Sequence, residues 1–168
     1  MKQAALFMIA LSVAAAGIGI SSRFGERVKM LKSVCLFISA IKTEVEFSLE
    51  SAVEIFERLS PVYSSDLPFV GACRDMLQNG ESFEKAWAQS VMISDNTKSL
   101  KDEDIQLLLS FGKSFGTTDV SGQTANCDIH IRFFQQNLQK ADNEMKLYRK
   151  PAAALGILSG AGIYILFM

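Results

Sequence analysis

The two ends of the chain are apolar, and only the middle mixes apolar with charged positions. Residues 4–20 and 152–168 each form a run of 17 residues without a charged side chain. As a helix, each run would be about 26 Å long, close to the thickness of the hydrocarbon core of a bilayer. We therefore predict transmembrane helices in residues 1–21 and 151–168, with a helical domain in residues 22–150 between them.

Within the middle segment, apolar residues recur every three or four positions, which is typical of amphipathic helices. The segment contains no run of alternating apolar and polar residues that would predict a strand. The first stripe predicts a long helix whose buried face carries Val28, Leu31, Val34, Ile38, Ile41, Val45 and Leu49. Ser51 and Glu54 have the spacing of a capping box for a second helix, which we expect to end before Pro61.

Two further helices are predicted from turn and cap residues. Ser65 or Asp66 is a candidate N-cap for the third helix, and Gly80 is its predicted stop. The fourth helix is predicted to begin at Ser82 and to bury Phe83, Ala86 and Trp87. Residues 90–99 are polar and aperiodic, which predicts a loop.

The acidic run Asp102 to Asp104 opens the next predicted helix, because negative charge is favourable at a helix N-terminus. The last helix shows alternating steps of four and three, at Cys127, Ile131, Phe134, Leu138, Ala141, Met145 and Tyr148. Such a seam packs against a long partner helix, and the first helix has the matching length. The predicted fold class is therefore all-α, an antiparallel helical bundle between two transmembrane helices.

Charge distribution predicts the orientation in the membrane. Arg23, Arg27, Lys29 and Lys32 follow the first apolar run, and Lys140, Lys146, Arg149 and Lys150 precede the second. Basic residues near membrane helices stay in the cytoplasm, so both flanks predict a cytoplasmic central domain. The basic flanks also suit anionic lipid headgroups. A signal peptide is the alternative for the first run, since Ala14 to Ala16 resembles a cleavage site.

Composition limits the chemistry that the chain can perform. The net charge of −1 and the pI near 5.9 argue against nucleic acid as a partner. One His and three widely spaced Cys leave no complete metal site. Cys127 and His130 share a helix face, but a structural zinc site needs more ligands, and Cys35 and Cys73 fit buried stripes. We predict no catalytic residues, no metal and no cofactor.

One triplet resembles a nucleotide-binding motif but lacks its context. Gly112-Lys113-Ser114 ends like a phosphate-binding loop, yet position 107 is Leu107 rather than Gly, and the triplet lies inside a helical run. A small residue at a helix crossing explains Gly112 better.

Polar residues at two helix ends are candidates for binding a partner. Thr43 and Glu44 lie late on the first helix, while Gly116, Asp119 and Gln123 lie at the connection to the last helix. Ordinary helix capping by Gly116 and Asp119 is the alternative explanation. We predict that these five residues contribute to a partner-binding surface.

The chain resembles the stage III sporulation protein AB family. The resemblance rests on Thr43-Glu44-Val45, on Phe111-Gly112, Phe115-Gly116, Asp119 and Gln123, and on Lys146, Tyr148 and Arg149 before the run from Leu155 to Gly160. Two positions depart from the family pattern. Phe115 stands in place of the usual Leu, and Pro151 interrupts the entry to the last helix.

The resemblance implies a helical domain similar to that of the F-type platform protein of type II secretion systems. It also implies a non-enzymatic membrane component of a sporulation transenvelope channel in the mother-cell membrane, with its central domain on the mother-cell side of the forespore membrane. The implied partners are a secretion-type ATPase, other membrane proteins of the complex and the lipid bilayer, with self-association as an option. The alternative function is a membrane-anchored helical sensor or signalling module.

Overall fold

The computed structural model describes the backbone of residues 2–48 and 50–167 and the side chains of residues 25–48 and 50–147. The described chain is helical and contains no strand, which confirms the all-α fold class. Six α-helices are α1 (Lys2–Phe47), α2 (Ala52–Tyr63), α3 (Pro68–Gln78), α4 (Phe83–Ile93), α5 (Asp102–Ser114) and α6 (Val120–Phe167). A short 3-10 helix at Asp95–Ser99 joins α4 to α5.

The chain divides into two compact units. One comprises residues 29–138, and the other comprises residues 1–28 together with residues 139–168. Across the part of the chain whose side chains are described, no helix has both the length and the apolar composition to cross a membrane. The two predicted transmembrane runs, residues 4–20 and 152–168, lie outside those residues.

The buried face of α1 is the one that the apolar stripe predicts. Leu31, Val34, Ile38, Ile41 and Val45 are all buried. At the edges of the stripe, residue 28 is half-buried and residue 49 lies outside the described chain. The helical period of the sequence therefore identifies the inner face of the first helix correctly.

The predicted capping box opens α2. The Glu54 amide donates to Ser51 Oγ at 3.3 Å, and the Ser51 amide donates to Glu54 Oε2 at 2.7 Å. These two bonds satisfy amide groups that have no partner within the helix. Accepting the Ser51 amide lowers the pKa of the Glu54 carboxyl group.

The prediction that α2 ends before Pro61 is wrong, because the helix continues to Tyr63. A proline in a helix removes the amide donor that the carbonyl four residues earlier would accept. Here that carbonyl belongs to Glu57, and the Ser60 hydroxyl donates to it at 3.0 Å instead. The neighbouring serine thus satisfies the carbonyl that Pro61 leaves without a backbone donor.

The start of α3 also differs from the prediction. Its N-cap is Leu67, which makes no side-chain capping bond, and Pro68 occupies the first turn, so neither Ser65 nor Asp66 caps the helix. Proline suits this position because its missing amide hydrogen would have no helical partner. The predicted stop at Gly80 is confirmed, since its amide donates to Leu77 O at 2.9 Å and the Glu81 amide to Met76 O at 3.2 Å.

Residues 90–99 are mostly helical rather than a loop. The fourth helix extends to Ile93, and the 3-10 helix follows directly. The Thr97 hydroxyl is buried and lies 2.9 Å from Val91 O and 2.6 Å from Ser94 O. A polar residue that bonds to nearby backbone carbonyls can be buried without an unsatisfied donor, which explains why the polar composition misled the prediction.

Trp87 lies at the centre of the unit formed by residues 29–138. Its ring centroid is 5.3–6.5 Å from those of five other rings, which come from α1, α2, α3, α4 and α5: Phe37, Phe56, Phe69, Phe83 and Phe111. The indole Nε1 donates to Leu108 O at 2.7 Å. Edge-to-face and offset contacts of this kind add to the stabilisation from burial alone.

Gly112 allows the Trp87 ring to approach α5. A Cβ added to Gly112 would lie 2.0 Å from Trp87 Cδ1. The predicted role of Gly112 as a small residue at a helix crossing is confirmed. The triplet from Gly112 to Ser114 lies within α5, not in a loop between a strand and a helix.

The buried face of α6 is rotated from the predicted seam. Cys127, Phe134 and Ala141 are buried as predicted, but Ile131 and Leu138 are only half-buried. The polar residues Gln123, His130 and Asn137 take the remaining buried positions, seven residues apart. Tyr148 lies outside the residues whose side chains are described. His130, which is absent from the predicted seam, is therefore part of the buried face of α6.

His130 and Asn137 are buried because α5 supplies a hydrogen-bond partner to each. Three side-chain hydrogen bonds join α5 to α6: Asn137 Nδ2 to Asp104 Oδ1 at 2.9 Å, Ser110 Oγ with His130 Nε2 at 3.0 Å, and Ser114 Oγ to Asn126 Oδ1 at 3.0 Å. Residue numbers rise along α5 as they fall along α6, so the two helices are antiparallel. In the other unit, Arg27 Nη1 donates to Glu144 Oε2 at 3.0 Å.

The acidic run has a more specific role than the prediction gave it. Asp102 begins α5 as expected, but Asp104 is completely buried. Besides its bond to Asn137, Asp104 accepts the Lys101 amide at 3.0 Å. One carboxylate therefore both caps α5 and fixes α6 beside it.

Candidate functional site at one end of the bundle

The five predicted partner-binding residues lie on two segments of the unit formed by residues 29–138. Thr43 and Glu44 are in the last two turns of α1. Gly116 and Asp119 form the connection between α5 and α6, and Gln123 lies in the first turn of α6. The local structure of each segment determines what it presents to a partner.

Glu44 belongs to a small cluster of charges. Its carboxylate accepts Arg58 Nη2 of α2 at 2.8 Å, and Arg58 also donates to Glu50 at 2.9 Å. The hydrogen bond from Arg58 lowers the pKa of Glu44, and the two carboxylates raise the pKa of Arg58. Thr43 is exposed, and its hydroxyl donates to Ser39 O at 3.0 Å. The cluster joins α1 to α2 and leaves one net negative charge at the surface.

Gly116 ends α5 and turns the chain toward α6. Its φ of +78° lies in the left-handed region, which side chains other than glycine rarely adopt. A Cβ added here would lie 3.6 Å from Ala52 Cβ at the start of α2. The α5–α6 turn therefore lies against the connection that follows α1.

Asp119 caps α6. Its Oδ1 accepts the Gly122 amide at 2.9 Å, which is a typical N-cap bond. Gln123 is only 4% exposed, and its Nε2 donates to Thr118 O at 3.4 Å. Its Oε1 has no hydrogen-bond partner. Asp119 thus presents a charged group to solvent, while Gln123 supports the turn from inside.

The two segments meet at the same end of this unit. Lys42 Nζ in α1 lies 2.9 Å from Asp128 Oδ1 in α6, and this contact raises the pKa of Lys42. With the Gly116–Ala52 contact, this bridge places the end of α1 beside the start of α6. Among the described residues, no hydrogen bond or ion pair joins Glu44 to Asp119, so the two carboxylates share one end of the bundle without touching.

Large apolar side chains are exposed at this end. Phe47, the last residue of α1, is 83% exposed, and Val120, the first residue of α6, is 56% exposed. We call the set Thr43, Glu44, Phe47, Gly116, Asp119 and Val120 the end surface. Exposed apolar side chains rimmed by polar groups are characteristic of protein-binding surfaces.

Sequence reasoning missed part of this surface. Arg58 was not selected, although it holds Glu44 in place, because its contact joins residues 14 positions apart in sequence. Phe47 and Val120 were also missed. Phe47 lies off the buried stripe of α1, and this was the signal in the sequence that pointed to its exposure.

His130 and the three cysteines lie inside the protein rather than on the end surface. Burial lowers the pKa of His130, whose Nδ1 lies 2.9 Å from Asn126 O. Burial raises the pKa of Cys35 and Cys127 to about 11 and that of Cys73 to about 12. Such thiols are poor nucleophiles at neutral pH. Within residues 25–48 and 50–147, no three His, Cys, Asp or Glu side chains are placed to hold a metal ion.

Comparison with known proteins agrees with the resemblance seen in the sequence. The family model for stage III sporulation protein AB matches residues 2–168. The chain belongs to this family. Stage III sporulation protein AB of Bacillus subtilis (strain 168) is 22% identical over 161 residues, which cover 90% of each chain. No solved structure gives a significant match. Family membership supports a role as a component of a sporulation complex.

Proposed function

We propose that the chain is a non-enzymatic membrane platform of a sporulation channel or secretion-like complex. In this proposal, residues 1–21 and 151–168 are transmembrane helices in the mother-cell membrane, and residues 22–150 form a cytoplasmic domain. The domain binds a secretion-type ATPase and couples it to other membrane proteins of the assembly. The observation that carries the proposal is the end surface.

The position of the end surface supports contact with a cytoplasmic partner. Phe47 lies 18 residues after Lys29 on α1, which corresponds to about 27 Å along the helix axis. Lys29 and Lys32 are among the basic residues that predict the cytoplasmic side of the first apolar run. Within α1, the exposed Phe47 is therefore far from the residues expected near the membrane.

Packing at the centre of the unit favours a platform over a sensor. A sensor requires room for a small molecule between helices. The region between α1, α2, α3, α4 and α5 is occupied by Trp87 and the five rings around it. Closely packed aromatic rings suit a rigid adaptor that transmits force between partners.

Orientation in the membrane can be tested directly. A reporter that is active only in the cytoplasm, inserted at Ser94 between α4 and the 3-10 helix, should be active. A reporter that requires export should be inactive at the same position. Export of this segment would refute both the orientation and the coupling to an ATPase.

Partner binding can be tested by pull-down from sporulating cells. The double variant Phe47→Ser with Val120→Ser should lose the ATPase, since it removes both apolar groups of the end surface. Met92→Ser is the matched control, because the exposure of Met92, 67% near the C-terminal end of α4, lies between those of Phe47 and Val120. Equal recovery of the ATPase with the parent chain and the double variant would contradict the proposed surface.

A further inference from the structure

Two apolar side chains are exposed on the outer side of α6, away from the end surface. Ile129 is 45% exposed and Phe133 is 50% exposed. They are four residues apart, so they lie one turn apart on the same side of the helix. Arg132 is on α6 between them, and Lys113 of α5 precedes Ser114, which bonds to Asn126 of α6 three residues before Ile129. We call Lys113, Ile129, Arg132 and Phe133 the α6 face.

The positive charges of this face are available to a partner. Among the described residues, neither Lys113 nor Arg132 forms an ion pair, and Arg132 Nε donates only to Asp128 O at 3.3 Å. The carboxylate of Asp128, which directly precedes Ile129, is paired with Lys42. The α6 face therefore combines an apolar centre with cations that form no ion pair among the described residues. Such a face is complementary to an acidic surface.

The same chain carries an acidic surface on a different side of the bundle. Residues 50–93 contain seven acidic and three basic residues, a net charge of −4. Glu54 and Glu57 lie on the outer side of α2, opposite the buried Ile55 and Phe56. Glu50 directly precedes the helix and is paired with Arg58. We call these three glutamates the α2 face. The Arg58–Glu44 bridge joins α2 to α1, and the Lys42–Asp128 bridge joins α1 to α6. Because α1 lies between α2 and α6, the two faces point in different directions.

The two faces also lie at similar levels along the helix axes of the unit of residues 29–138. Asp128 is level with Lys42 on α1, so Phe133, five residues later on α6, is close to the level of Phe37. The Phe37 ring lies 5.9 Å from Phe56 and 5.2 Å from Tyr63 of α2. Glu57 is therefore at about the height of Phe133, and the earlier glutamates of α2 approach the height of Lys113.

We propose that the α6 face of one copy docks on the α2 face of a neighbouring copy. Opposite charge on two different faces of one molecule gives a head-to-tail contact, which repeats from copy to copy and closes into a ring or continues as an array. The parallel orientation of neighbouring copies rests on the proposed membrane anchoring. The charge pairing of the two faces does not depend on an ATPase.

Cross-linking of the purified full chain in lipid vesicles tests the contact without other proteins. One batch carries Gln136→Cys on α6 and a second carries Pro61→Cys on α2, both at exposed positions. A bismaleimide should link the mixed batches more strongly than either batch alone. The parent chain is the background control, because its three cysteines are buried. Linkage mainly between two Gln136→Cys copies, or none above background, would overturn the proposal.

Charge reversal tests the complementarity. Arg132→Glu and Glu57→Lys should each reduce the linkage about tenfold or more, because each places like charges together. A mixture of the two variants should restore it, since the reversed faces complement each other. Lys98→Glu on the exposed 3-10 helix is the control and should have no effect. Linkage that is independent of these charges would overturn the proposal, while loss of ATPase binding with intact linkage would contradict only the proposed function.

Discussion

Gly112→Ala is the most direct test of the packing around Trp87. The new Cβ would lie 2.0 Å from Trp87 Cδ1, so the indole must move by about 1.5 Å to reach an ordinary contact distance. Movement is costly, because five rings surround the indole and its Nε1 donates to Leu108 O. We expect the ring to shift, lose this hydrogen bond and strain its neighbours.

The expected destabilisation follows from three contributions. Overpacking a well-filled core costs about 1–3 kcal/mol, and leaving a buried donor without its acceptor costs about 1–3 kcal/mol. Replacing glycine by alanine inside a helix returns about 1 kcal/mol. The net loss in the free energy of unfolding is therefore about 3 kcal/mol. For a chain of this length, the melting temperature should fall by about 6–12 °C.

Trp87 is the single tryptophan of the chain, so its fluorescence reports unfolding at the altered position. The assay is thermal unfolding of the full chain in mild detergent, followed by fluorescence and circular dichroism. Gly25→Ala in α1 is the matched control, because a Cβ there meets nothing within 4 Å, and it should be neutral or slightly stabilising. A Gly112→Ala variant as stable as the parent would refute the assigned packing.

Three other predictions concern Phe134, Asp119 together with Glu44, and His130. Phe134→Ala should cost about 3–5 kcal/mol, as deletion of a fully buried aromatic ring does, and a loss below about 1 kcal/mol in urea unfolding would mean that α6 presents another face to the core. Asp119→Ala should cost about 1 kcal/mol of stability through loss of the N-cap, and Asp119→Asn should be nearly neutral. If Asp119 and Glu44 also bind a partner, Asp119→Asn and Glu44→Gln should reduce sporulation efficiency without unfolding the domain. Normal sporulation in both variants would exclude that role. Because burial lowers the pKa of His130, the unfolded chain binds this proton more tightly, so stability is fully present above the ordinary pKa near 6.5 and falls as the pH drops below it. His130→Gln should flatten this decline between about pH 5.5 and 7, and an unchanged pH profile would contradict the assignment.

Local signals in the sequence predicted the parts of the fold that depend on nearby residues. The capping box of Ser51 and Glu54, the stop at Gly80 and the inner face of α1 follow from spacings of a few positions, and all are confirmed. Gly112 was interpreted correctly because a phosphate-binding loop needs surrounding residues that this chain lacks. These inferences succeed because backbone geometry and the helical period restrict them strongly.

Features that depend on distant partners escaped sequence reasoning. A polar residue is expected at the surface, yet His130 and Asn137 are buried because Ser110 and Asp104 of α5 bond to them. The Pro61 prediction failed for a similar reason, since the Ser60 hydroxyl replaces the missing donor. For the end surface, the sequence indicated both segments but not Arg58, which joins Glu44 of α1 to α2.

The hydrogen bonds between α5 and α6 restrict how this chain can change in length. Each added residue turns the following part of a helix by about 100°, so one insertion between Asn126 and Asn137 would move Asn137 away from Asp104 and expose His130 or Phe134. Only insertions of about seven residues would restore both rotation and the alternation of polar and apolar positions. Substitutions at exposed positions of α6 do not change this rotation. Sequence variation in this segment should therefore consist of exchanges of residues at constant length, while insertions and deletions accumulate in the connections between helices.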